Sequence, residues 1–76
     1  MIAQKVKIIG VNILYHRRIK HWTQEELARR AGISKSYLSQ IERGTFEKDD
    51  GCASLSTLYR IADALNVPVE RLLSDR

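Results

Sequence analysis

With one cysteine, Cys52, the chain cannot close an internal disulfide, and that thiol with His16 and His21 is too small a set for a metal cluster. One proline and four glycines are too few for a linker, and no repeat or low-complexity stretch occurs. The apolar run "VKIIGVNIL" is too short, and too charged at its flanks, to cross a bilayer. It also lacks the basic start and small-residue cleavage site of a secretory signal. No nucleophile–base constellation, glycine-rich phosphate loop or metal-ligand spacing is present. An enzyme is therefore not expected, and no catalytic residue, metal or cofactor is assigned. These absences leave one small cytoplasmic domain over residues 1–76, without a membrane segment.

The chain does have enough apolar residues for a core, 43% of its 76 residues, at a size where one core is only marginally sufficient. Its net charge of +4 is unevenly spread. Residues 1–46 carry nine Lys/Arg against three Glu, a net of +6, whereas residues 47–76 carry four against six, a net of −2. A basic first half is compatible with a polyanionic partner, although a solvated surface would also account for it.

Apolar spacing and capping residues predict five short helices and no strand. Val6, Ile9 and Ile13 recur at helical spacing, which predicts a first helix over about residues 5–20. Thr23 reads as an N-cap, with Glu26 completing a capping box and Trp22 and Leu27 forming a hydrophobic staple. Leu27, Ala28 and Ala31 make the inner stripe of this second helix, and Gly32 follows where a left-handed C-cap residue is wanted. Ser34 caps a third helix, with Ile33 and Leu38 as its staple and Gly44 as its end. Ser54 caps a fourth, with Leu55, Leu58, Ile61, Ala62 and Leu65 on one face. Asn66 ends it, and Pro68 suits the first turn of a fifth helix containing Val69, Leu72 and Leu73.

The corner at Gly32 is a single residue wide, which presents the third helix outward at a fixed angle, as in a helix-turn-helix. At roughly 100° per residue, Lys35, Ser36, Ser39, Gln40 and Arg43 share an arc of roughly 140°, with Tyr37, Leu38 and Ile41 opposite. The outward arc holds small donors, an amide and cations but no acid, the group types that pair with base edges and phosphates in a major groove. A solvated face would ordinarily mix both signs of charge.

The stretch "TQEELARRAGISKSYLSQIERG", residues 23–44, resembles the helix-turn-helix of the Cro/C1-type (xenobiotic-response-element) regulators of bacteria and phages. The likeness extends to "IGVNILYHR" and "SLSTLYRIADALNVPVERLL". The resemblance implies an all-α, five-helix phage-repressor-like DNA-binding domain, usually dimeric, that controls transcription at short operators. By position it assigns base reading to Lys35, Ser36 and Gln40, to which the outward arc adds Ser39. It assigns phosphate contacts to Gln24 and Arg43, with Tyr37 and Arg17 as further candidates. Arg17 and Glu42 match a family pair that bridges the first and third helices.

The expected partners are a double-stranded DNA operator and a second copy of the chain, with no small-molecule ligand. Val69, Leu72 and Leu73 are the first choice for a dimer seam, and the Leu14 and Ile19 face the second. Three features depart from the family. His16 stands where leucine is usual and is expected to be partly buried and hydrogen-bonded; Leu14 and Ile19 are apolar where polar groups are common. The link after Gly44 is long and acidic, and is expected to bulge away from DNA. His21 reads as a solvated turn residue, Trp22 as core rather than a stacking platform, and Cys52 as unreactive. The competing reading is a protein-interaction module, such as an antitoxin or anti-repressor.

Overall fold

The computed structural model describes residues 2–44 and 54–74, with side chains from residue 7 onward. The expectations for Cys52 and the acidic link 45–53, and for the side chain of Val6, lie outside the described residues. Five helices follow in order: α1 (Ile2–Ile19), α2 (Gln24–Ala31), α3 (Lys35–Arg43), α4 (Leu55–Leu65) and α5 (Val69–Leu73). No strand occurs among the described residues. None of the described helices is long and apolar enough to cross a membrane. The first helix begins earlier than its apolar spacing suggested, since its opening turn has no capping or breaking residue to mark a start.

The N-caps are those expected. Thr23, Ser34 and Ser54 each sit in extended backbone, and each side-chain oxygen accepts from the N–H three residues on. One half of the predicted capping box is missing. Glu26 does not turn back to the cap, because its carboxylate is taken by Arg29 at 2.6 Å and Arg30 at 2.5 Å. Pro68 is the N-cap of α5 rather than its first helical residue.

The helix exits share one device. His21, Gly32 and Asn66 are all left-handed, with φ of 60°, 74° and 62°. Each is followed by an apolar residue whose N–H bonds a carbonyl five positions back: Trp22 to Arg17, Ile33 to Ala28 and Val67 to Ala62. Trp22, Ile33 and Val67 then pack against the core, so each exit turns the chain and covers the core at once.

That core is built from Ile13, Leu27, Leu38, Ile41, Ile61, Leu65 and Leu72, all fully buried. α1 lies against α3 and α5, and α2 against α3 and α4. The approach of α1 to α3 is close enough that a Cβ on Gly10 would stand 2.5 Å from the carbonyl oxygens of Ile41 and Glu42. Two positions lie other than expected, one from the inner face of α4 and one from the dimer seam. Leu55, the first residue of α4, is 60% exposed, whereas Leu58 one turn on is buried. Leu72 is 0% exposed, held in the domain's own core, and so cannot form part of a dimer seam.

Candidate nucleic-acid interface

The α2–α3 corner is fixed by backbone conformation rather than by crowding. Only a side-chain atom of Arg60, 3.7 Å away, would meet a Cβ on Gly32, so what the position demands is its φ of +74°. Ser34 then starts α3 at once, accepting from the Tyr37 N–H at 3.0 Å.

With Leu38 and Ile41 buried beneath it, α3 presents the expected arc outward. Lys35, Ser36 and Arg43 are exposed, and Ser39 and Gln40 half-buried. The only acid of this helix, Glu42, is turned inward and buried, so the outer face keeps donors and cations alone. Tyr37 is half-buried against the core, which leaves only part of it to face a ligand.

Gln24 is half-buried at the first position of α2, and its Nε2 donates to Glu42 Oε1 at 2.9 Å. Thr23 serves the Glu26 N–H, so the N–H groups of Gln24 and Glu25 are left at the open end of the helix, where the backbone dipole favours an anion. Glu25 is exposed in this turn, while Glu26 is offset by its two arginines. Those arginines, Arg30 foremost, hold the Glu26 carboxyl below its usual range.

Arg17 is engaged inside the protein. Its Nε donates to Glu42 Oε2 at 2.7 Å, its Nη2 to Glu42 Oε1 at 3.1 Å and its Nη1 to the Trp22 carbonyl at 2.8 Å. The side chains of Arg17 and Glu42 are 12% and 3% exposed. The bridge between α1 and α3 is therefore present, whereas the added expectation of a phosphate contact by Arg17 finds no support in this geometry.

The other departures from the family resolve variously. His16 is half-buried, and its ring meets Tyr15 edge-on at 5.3 Å. Burial, and then the charges of Arg71 and Lys20, lower its pKa below 6.5. Ile19 is 56% exposed but Leu14 is half-buried, so only part of that face is open. His21 is an exposed turn residue, as expected. Trp22 is half-buried and carries Arg30 at 4.3 Å and Lys20 at 5.3 Å over its ring.

Sequence reasoning missed two features. The Gln24–Glu42 bond joins helices through side-chain geometry, which leaves no trace in spacing. The tight contact at Gly10 did leave a signal, a glycine three residues before the buried Ile13 within an apolar helical pattern.

Residues 13–72 match the helix-turn-helix family HTH_3. The HTH-type transcriptional regulator y4dJ of Sinorhizobium fredii is 43% identical over 61 residues, which cover 80% of this chain and 73% of that protein. The HTH-type transcriptional regulator SinR of Bacillus subtilis is 36% identical over 69 residues, 91% of this chain but only 59% of SinR. Among solved structures, the hypothetical transcription factor NHTF from Neisseria matches with a TM-score of 0.81 at 33% identity, over 92% of this chain and 75% of that one. SinR, the master regulator for biofilm formation, in complex with DNA gives 0.76 at 38% identity, over 87% and 98%. The match of residues 13–72 to that family model, with relatives above 30% identity and an α3 whose outer arc carries no acid at a one-glycine corner, makes the chain a member of the Cro/C1-type helix-turn-helix family, a DNA-binding transcriptional regulator.

Proposed function

We propose that this regulator is a repressor or autoregulator that binds a short palindromic double-stranded DNA operator as a homodimer, acting in the cytoplasm without a small-molecule effector. The whole of residues 1–76 acts as one DNA-binding domain around its helix-turn-helix, 23–44. The observation that carries this reading is the outer arc of α3, exposed or half-exposed throughout and lacking an acid. Lys35, Ser36, Ser39 and Gln40 read base edges, an amide suiting adenine and an ammonium guanine. Gln24, at the open end of α2, and Arg43 hold phosphates. Arg17 acts from behind, by fixing α3.

One recognition helix spans too few base pairs to discriminate well, so two copies with helices roughly 34 Å apart are required. Under a two-fold axis a surface patch meets itself, so a patch that is apolar or carries both signs of charge suits a seam and one of a single sign repels its copy. With Leu72 in the core and Val69 half-buried against it, exposed Leu73 remains of that seam, on the same short helix as exposed Glu70 and Arg71. Ile19, the other candidate, is flanked by Arg18 and Lys20 and would repel its own copy. Sedimentation tests this: the protein is expected as a dimer on a two-half-site duplex, and Leu73→Glu as a monomer. A wild-type monomer both free and on that duplex would reject the dimer.

A second reading, a module that sequesters a protein partner, is favoured by the exposed row Val11, Tyr15 and Ile19 on α1. Electrophoretic shift with genomic fragments, run beside a pull-down, separates the two.

A further inference from the structure

Glu42 is buried, faces away from the reading surface of α3, and yet touches a group placed on that surface's edge. We infer that Glu42 is a positioning residue for DNA binding that acts through Gln24, by holding its amide in one orientation before DNA arrives. This rests on the reading of Gln24 as a phosphate contact.

A glutamine amide has an accepting end and a donating end, and a phosphate takes only donors. A solvated glutamine at the start of α2 would sample both ends and several rotamers. A carboxylate accepts only, so the bond to Glu42 Oε1 at 2.9 Å fixes Nε2 toward Glu42 and settles the amide's orientation. An amide nitrogen carries two hydrogens, so one is left for a phosphate at the start of α2. Glu42 is itself immobilised: Arg17 grips both carboxylate oxygens, and the Trp22 carbonyl grips Arg17. The arginine also offsets the charge of Glu42, which would otherwise oppose a nearby phosphate. Among the described residues no buried side-chain nitrogen or oxygen lacks a partner, so the relay from Trp22 to Gln24 is complete in the free protein. Ordering a side chain in advance removes an entropic cost from binding.

The experiment is a double-mutant cycle in operator affinity, crossing the paired change Arg17→Met with Glu42→Met against Gln24→Ala. Replacing both charges together avoids a stranded ion and keeps a packed interior. Thermal melts establish the folded fraction of each variant, and Glu42→Gln with Arg17 intact is a second, milder variant. In the presence of Gln24, the paired change is expected to weaken binding about three- to tenfold, the scale of one ordered side chain. In the Gln24→Ala background the same change is expected to do nothing measurable. The slope of affinity against salt is expected to stay the same, because no cation is withdrawn from the DNA. An equal loss in both backgrounds would overturn the inference, since Glu42 would then act only by holding the fold. A slope lower by about one ion would overturn it in favour of a direct phosphate contact by Arg17. If Gln24→Ala alone leaves affinity unchanged, the phosphate reading of Gln24 fails first and the inference with it.

Discussion

Removing Glu42 alone strands the Arg17 guanidinium in a site where its side chain is 12% exposed, and also takes the acceptor from Gln24. Breaking a buried pair from one side costs about 3–5 kcal/mol, whereas replacing both partners by apolar groups is often neutral. Urea unfolding should therefore show Glu42→Ala strongly destabilised and the double methionine variant close to wild type. An unchanged Glu42→Ala would mean the bridge is a solvent-screened contact. His16 gives a separable test by pH. Its pKa is lowered by burial, then by Arg71 and Lys20, so the fold favours the neutral ring. The unfolded chain then binds more protons, and stability rises with pH through that window. The His16 contribution is complete above pH 6.5 and is lost as pH falls through the depressed folded value. The Glu26 contribution, from a pKa lowered below 4.5, is lost only at more acid pH. His16→Leu is expected to flatten the stability profile just below pH 6.5, read by thermal melts; an unchanged slope would contradict the assignment.

At the scale of the helices, the caps and turns were legible because each is local. Thr23, Ser34 and Ser54 bond three residues ahead, and Gly32, Gly44 and Asn66 adopt the left-handed backbone their type favours. Legibility failed where a neighbouring helix decides. Leu55 and Leu65 both sat on the expected inner face, yet Leu65 is buried and Leu55 is 60% exposed at the first residue of α4. Leu72 and Leu73 are adjacent and alike, and the positions of α1 and α4 make one core and the other surface. The turn at His21 was expected but its left-handed backbone was not, since histidine is not the residue such a conformation announces. Gly10 tests how far the helix contacts set the reading surface. Alanine there gains about 1 kcal/mol of helix propensity, but its Cβ would meet two backbone carbonyls at 2.5 Å. Overpacking costs of about 1–3 kcal/mol against rigid atoms are expected to win, giving a net loss in urea unfolding and weaker DNA binding. A more stable Gly10→Ala would show that α1 can withdraw freely.

Across the whole molecule, the outward arc of α3 was legible because a helical period of roughly 3.6 residues sorts the inner from the outer face without knowledge of neighbours. Lys35, Ser36, Ser39, Gln40 and Arg43 emerged together on that basis, and the fold leaves none of them buried. The dimer seam was not legible in this way, because a surface for a second copy and a core position carry the same apolar residues. The central claim is a division of labour: α3 specifies through base edges, while the start of α2 holds the backbone. The most direct test is affinity of Gln40→Ala and Gln24→Ala for a panel of single-base operator variants. Gln40→Ala is expected to lose about 1–3 kcal/mol on the cognate site and to relax preference at one base position per half-site. Gln24→Ala is expected to weaken every duplex alike and leave the preferred sequence unchanged. A uniform loss for Gln40→Ala together with an altered base preference for Gln24→Ala would contradict the account.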